Sequence, residues 1–180
     1  GYNNLDAMLK NEELDLVTIC TPSGIHAEQA KQISSFGVNV LTEKPMASTY
    51  MQGRKLVDAA KGKGVLYKVG YNKRYDDGVQ KAKLILDQLL ETKELGEIIY
   101  VRAHRFSGTG YCNPSGDIKT EEPYPDGLEE WPAAPEWVPE EFKSEYHRYL
   151  NTFCHNLNLL RYFLSGRQSL FIFPFWFSFF

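Results

Sequence analysis

Two residues whose types can each take part in proton chemistry stand far apart in this 180-residue chain: Lys44, in Glu43-Lys44-Pro45, and His155. Lys44 directly follows an apolar run, Val38 to Leu41. Proline disfavours helical geometry at the residue before it, so Lys44 is expected to stay extended at the end of a strand instead of entering the next helix. An ammonium held there can polarise a hydroxyl or carbonyl, or give up its proton if desolvated. A surface lysine at a turn is the competing reading. His155 falls in a helical pattern where Leu150, Phe153, Cys154, Leu157, Leu160 and Leu164 form an apolar stripe. Asn151, His155, Asn158 and Tyr162 follow at i, i+4, i+7 and i+11, so they share a different, polar face. An imidazole on such a face suits a general acid or base aimed into a cleft; a hydrogen-bonded, partly exposed histidine is the alternative.

Two further turns leave apolar runs in the same way. Thr21-Pro22-Ser23-Gly24-Ile25-His26 ends at a helix N-terminus, whose free N–H groups suit a phosphate or a ribose hydroxyl. Gly70-Tyr71-Asn72-Lys73-Arg74-Tyr75 offers an amide at Asn72, and at Arg74 a cation for an acidic partner. Each also reads as an ordinary polar turn. The glycine-rich phosphate fingerprint is absent: Gly62-Lys63-Gly64 lies between helix and strand, the wrong order, and Gly108-Thr109-Gly110 runs into Asn113-Pro114. No Gly-x-Ser-x-Gly, His-Glu-x-x-His or metal-spaced cluster occurs, so no metal is expected.

The elements that must position these residues alternate between strand and helix periods. Leu5 to Leu9 suggests a short helix capped by Asn4 or Asp6. Leu14 to Cys20 reads as a strand, Ile25 to Phe36 as a helix stopped by Gly37, and Val38 to Leu41 as the next strand. Ser48 or Thr49 caps a helix with Met51, Leu56, Val57 and Ala60 inside, and Val65 to Val69 is a third strand. Such alternation means βαβ units and a mostly parallel sheet. A helix from Asp76 or Asp77 to about Leu90 follows, then a long strand, Ile98 to Phe106. A Pro-, Gly- and Glu-rich stretch with Trp131 and Trp137 fills 108–144, and a last helix runs from about Glu145 to Leu164.

Composition narrows the class. With 43% hydrophobic and 24% charged residues the chain is globular, not disordered. Lys and Arg number 20 against 23 Asp and Glu, which leaves no basic excess for nucleic acid. The longest apolar run, Leu170 to Phe180, is too short to span a bilayer, so no membrane partner is expected. Cys20, Cys112 and Cys154 are sparse and odd in number, the usage of a cytoplasmic protein and not of a disulfide framework. Gly1-Tyr2-Asn3-Asn4 shows neither an initiator Met nor a secretory signal, and the expectation is a start inside a larger reading frame. The aromatic tail, with Phe171, Phe173, Phe175, Trp176, Phe177, Phe179 and Phe180, matches no helical stripe and is expected to be an aberrant, aggregation-prone end.

In their order, these segments resemble the Gfo/Idh/MocA family of NAD(P)-dependent oxidoreductases. The residues that carry the resemblance are Leu14-Asp15-Leu16-Val17-Thr18-Ile19-Cys20-Thr21-Pro22 with His26, then Glu43-Lys44-Pro45-Met46-Ala47, then Val69-Gly70-Tyr71-Asn72-Lys73-Arg74. Gly96-Glu97-Ile98 and His155 with Leu159-Leu160-Arg161-Tyr162 continue it, so it covers about residues 1–166. The resemblance implies an α/β fold: a truncated doubly wound Rossmann-like parallel sheet over 1–74, part of an α/β substrate domain with an open mixed sheet over 75–167, and the tail over 168–180. It implies Lys44 and His155 as the catalytic pair, with Thr21, Pro22, His26, Glu43 and Asn72 helping to hold NAD or NADP. It implies hydride transfer between that cofactor and a carbon-bound hydroxyl of a sugar, cyclitol or related polyol, that is, a small carbohydrate substrate, with a homo-oligomer as the candidate assembly. A cis bond at Lys44-Pro45 is common in the family. Where the family often has Asp four residues before the catalytic His and three after it, this chain has Asn151 and Asn158. Two alternatives stay open: a NAD-dependent glycosidase, selected by sugar release with no net NADH change, and a non-catalytic remnant that holds no cofactor.

Overall fold

The computed structural model describes residues 1–94, 96–103 and 132–164. Three short parallel strands form one sheet in the order β1 (Leu16–Ile19), β2 (Asn39–Thr42), β3 (Tyr67–Val69). The register sets Leu16 beside Asn39 and Ile19 beside Thr42, then Val40 beside Tyr67 and Thr42 beside Val69. Parallel strands need crossovers, and α2 (His26–Ser35) and α3 (Tyr50–Lys63) supply them. The side chain of Asn39 stitches the N-terminal edge of the sheet. Its Nδ2 donates to Asp15 O at 2.9 Å and its Oδ1 accepts from Leu66 N at 2.9 Å.

Alternation along the strands sends Val17, Ile19, Val40 and Tyr67 to one face, where α2 and α3 lie. The core there is Leu9, Ile19, Ala30, Ile33, Val40 and Leu56; Ala30, Ile33, Val40 and Leu56 are at most 1% exposed. Leu9 comes from α1 (Leu5–Asn11). The opposite face is more open: Leu16 is 51% exposed, and Thr18 and Lys68 are exposed too.

The helix ends follow local chemistry. The Asn4 side chain caps α1 by accepting from Ala7 N at 3.1 Å. Thr49 and Gln52 form a reciprocal capping box on α3, with Gln52 N donating to Thr49 Oγ1 and Thr49 N to Gln52 Oε1. Asp76 caps α4 (Asp77–Glu91) through Val79 N. Gly64 ends α3 at φ 65°, the left-handed conformation, and its N–H reaches Ala60 O and Lys61 O. A Cβ on Gly64 would meet nothing within 4 Å, so Gly64→Ala should cost the left-handed penalty alone, about 1 kcal/mol. Gly62→Ala, inside the helix and equally unobstructed, should instead stabilise by about 0.5 to 1 kcal/mol. Urea unfolding of the two variants checks for these opposite signs.

In the second half, α4 packs on the turn 72–75 and on the last helix and buries no residue completely. Residues 98–103 take up no regular secondary structure, and Ile99 is 97% exposed. A strand exists only with a partner to accept its ladder, and none of the described strands pairs with this segment. The end of the expected strand, 104–106, lies outside the described residues, as do Cys112, Trp131 and the tail 168–180. The last helical stretch starts at Glu140, earlier than the periodicity implies, and has three parts: α5 (Glu140–Arg148), a π-helical turn (Tyr149–Phe153) and α6 (Cys154–Phe163). Among the described residues no helix is long and apolar enough to cross a membrane.

Candidate functional site

The carboxyl ends of the three strands converge at one rim. Glu43 N donates to Ile19 O at 2.9 Å and Gly70 N to Thr42 O at 2.8 Å, so the three exit loops are tied strand to strand. A Cβ on Gly70 would lie 3.4 Å from Thr42 O and 3.7 Å from Glu43 Oε1, ordinary contact distances, so the Glu43 side chain packs beside the exit of β3. The other Glu43 oxygen, Oε2, accepts from Lys44 N at 3.1 Å. The Lys44–Pro45 peptide is cis.

His26 lies beneath this rim, only 1% exposed. Its Nδ1 is 2.9 Å from Pro45 O and its Nε2 is 2.7 Å from Thr21 O. The ring is a strut between the exit of β1 and the proline loop, and it acts on any bound molecule through the backbone it fixes. Thr21, Pro22, Glu43 and Asn72 are exposed along the edge above it. Thr21 Oγ1 donates to Gln29 Oε1 at 2.7 Å. The Asn72 backbone N donates to Gly70 O at 3.0 Å, which curls the turn under the strand end.

The polar face of the last helix closes over the rim. Lys44 Nζ donates to Asn151 O at 3.1 Å and also, in a shorter bond, to Asn151 Oδ1. One turn on, the His155 ring meets Tyr71 edge to face, with centroids 6.4 Å apart. Arg74 Nε donates to Asn158 Oδ1 at 2.5 Å, and the same guanidinium sits 5.3 Å from the Tyr162 ring. The periodicity at 151, 155, 158 and 162 is therefore the inward face. The expected apolar stripe is half-buried at Leu150, Leu157 and Leu160 and buried at Leu164, 4% exposed; on the polar face Asn158 is buried too, at 9%. The reason is that Arg74 supplies the hydrogen bond that makes a buried amide tolerable. Arg74 thus has a partner at this joint, an amide in place of the acidic residue expected.

The π-helical turn sets Asn151 over Lys44. A π turn adds a residue to the helical repeat and disturbs the regular carbonyl ladder, and such turns gather at functional sites. Here the carbonyl of Asn151 takes Lys44 and, at 3.6 Å, the Cys154 thiol. Tyr146 anchors the helix preceding the turn, donating to Ser48 O at 2.5 Å. A cavity of about 410 Å³ lies between, walled by Met46, Val57, Arg54, Tyr71 and Leu150. Burial pushes the Tyr71 phenol above its usual value and Cys154 adds to this, while Arg161 and Arg74 pull it back down. Burial also pushes the phenol of Tyr67 far up, against the pull of the neighbouring Thr42 hydroxyl.

Lys44 and the helix bearing His155 thus meet at one rim with Glu43, and Thr21, Pro22 and Asn72 stand along the same edge. The partners Asn151, Tyr71 and Tyr146 were not legible as such. Asn151 lay on the polar stripe, but nothing in its spacing names Lys44. Among the described residues no group of three or more His, Cys, Asp or Glu could hold a metal ion.

Comparison with known proteins agrees with this architecture. Residues 1–71 match the model of the oxidoreductase family with an NAD-binding Rossmann fold, GFO_IDH_MocA. An uncharacterized oxidoreductase of Streptococcus pneumoniae is 26% identical over 164 residues, 91% of this chain and 38% of that protein. The scyllo-inositol 2-dehydrogenase (NADP(+)) of Bacillus subtilis is 36% identical over 101 residues, 56% of this chain and 28% of that protein. The crystal structure of myo-inositol 2-dehydrogenase from Lactobacillus plantarum superposes with a TM-score of 0.58 at 19% identity, over 90% of this chain and 41% of that one, a likeness of fold. The chain therefore spans well under half the length of these relatives. Over residues 1–71 it is similar to the NAD-binding Rossmann fold of that oxidoreductase family.

Proposed function

We propose that this protein serves hydride transfer between NAD or NADP and a carbon-bound hydroxyl of a sugar, cyclitol or related polyol. The observation that carries the reading is the bond from Lys44 Nζ to Asn151, which joins residues 107 positions apart over the carboxyl rim of a parallel sheet. Ligands of such sheets bind outside the carboxyl ends of the strands. The name of the Bacillus subtilis relative supports a cyclitol-like substrate.

The rim suits such a cofactor on structural grounds. Asn72 is exposed, so its side-chain amide is accessible as both donor and acceptor. Thr21, Pro22, Glu43 and Asn72 would hold the cofactor, and His26 would fix the two loops they stand on. The redox chemistry, acceptance and return of a hydride, is supplied by the cofactor when bound. Lys44, with one ammonium hydrogen left after its two bonds to Asn151, orients and polarises the reacting oxygen. His155 takes up the hydroxyl proton. Residues 1–74 would form the cofactor side and 75–167 the substrate side.

Titration of the 180-residue chain with NADH, followed by nicotinamide fluorescence, tests this. Saturable enhancement is expected, with Asn72→Ala weakening binding about tenfold through loss of one or two hydrogen bonds. A flat titration would favour the non-catalytic reading instead.

A further inference from the structure

Both cations that the last helix engages are bound to amides. Lys44 donates to the two oxygens of Asn151, and Arg74 to the oxygen of Asn158. An amide oxygen fixes an ammonium or guanidinium in place but cancels none of its charge. The ion pairs among the described residues lie elsewhere, at Lys10–Asp6, Lys83–Asp87 and Lys143–Glu140. Glu43 is the acid next to Lys44, and one of its oxygens accepts the Lys44 backbone N–H while the other lies over β3. Arg161 adds a third positive charge, close enough, with Arg74, to pull on the Tyr71 phenol. Lys44 and Arg74 therefore keep their positive charge at the rim, each held in place by a neutral partner.

We infer that Asn151 is a specificity-determining residue: as an uncharged clamp it leaves the charge of Lys44 for the substrate, and the site selects polyols that carry a carboxylate near the reacting hydroxyl, such as sugar acids. The inference rests on the oxidoreductase reading above and narrows its substrate class. A carboxylate can take the remaining ammonium hydrogen as a charge-assisted bond, stronger than the bond a neutral hydroxyl makes. An aspartate at 151 would occupy the same volume and satisfy Lys44 from within, so neither cation nor anion would be in demand.

D-gluconate and D-sorbitol are suitable probes, since they share the polyol chain and differ at the terminal carboxylate. Their binding to the 180-residue chain without cofactor is read by NMR on the Asn151 and Asn158 side-chain amides, and NADH binding is measured separately. Gluconate is expected to bind at least about tenfold more tightly than sorbitol, with the preference shrinking as salt rises. Asn151→Asp should bring the two ligands within about twofold of each other, whereas Asn151→Ala, which loosens the clamp but leaves the charge, should keep gluconate ahead. Equal binding in the wild-type chain overturns the inference. So does an unchanged preference in Asn151→Asp, or a loss of preference in Asn151→Ala equal to that in Asn151→Asp. A chain that prefers gluconate yet fails to bind NADH would defeat the oxidoreductase reading while the anion site stands.

Discussion

Replacing Lys44 by alanine is expected to reduce NAD(P)-linked polyol oxidation about 10³-fold while leaving NADH affinity within about twofold of wild type. The split follows from where the side chain points. The backbone of Lys44 belongs to the proline loop, and its N–H bond to Glu43 survives the substitution. The ammonium points away from the strands to Asn151, across the rim. Its loss removes the donor aimed at the reacting oxygen and leaves the edge at Thr21, Pro22 and Asn72 intact. Fluorescence titration with NADH gives the affinity, and steady-state absorbance gives the rate. Lys44→Arg is a poor rescue, because a planar fork cannot bind both Asn151 oxygens and keep a third hydrogen in the same direction. Retained turnover in Lys44→Ala would remove this residue from the chemistry.

The three strands and the helices between them could be read from the sequence to within a few residues, and the reason is local. Three of the helix starts have a side chain that bonds the first turn, Asn4, Thr49 and Asp76, and each of these was already a candidate cap. Strand cores such as Val17 to Ile19 are apolar and β-branched and are followed at once by turn residues. What failed was non-local. Ile98 to Phe106 has strong strand composition, yet 98–103 carries no ladder, since composition supplies no pairing partner. The π-helical turn at Tyr149–Phe153 has no signature in residue type; it arises where the helix must meet Lys44 and Ser48 from outside.

The same division runs through the site. Lys44, Thr21 and Asn72 were legible because each sits where a strand ends. The helical period put Asn151, His155, Asn158 and Tyr162 on one face, and they do face the rim together. Hydrophobicity favoured the leucines, and Leu164 is indeed buried; that Asn158 would be buried as well was not legible, because it is Arg74 that draws it inward, and a satisfied amide can be buried at little cost. The strut role of His26 was equally hidden, because its partners, Thr21 O and Pro45 O, are backbone atoms that sequence cannot distinguish.

That strut leads to the second large effect, a loss of about 3 to 4 kcal/mol in unfolding free energy for His26→Ala. The imidazole is 1% exposed, so its removal opens a cavity in a packed place, which by itself costs about 2 kcal/mol or more. It also removes the ring N–H, which in a neutral imidazole can donate to one of the two carbonyls, Pro45 O or Thr21 O, and a carbonyl left without that donor adds about 1 kcal/mol. Both loops belong to the rim, so the damage should reach the site: NADH affinity should fall in His26→Ala although the ring itself lies beneath the edge. His26→Gln can restore a donor to one carbonyl and should recover about half the stability. Urea denaturation of the two variants beside Leu56→Ala separates the terms, because Leu56 is equally buried in the core and bonds to neither loop. If His26→Ala lowered stability as Leu56→Ala does but left NADH affinity untouched, His26 would be core packing and nothing more.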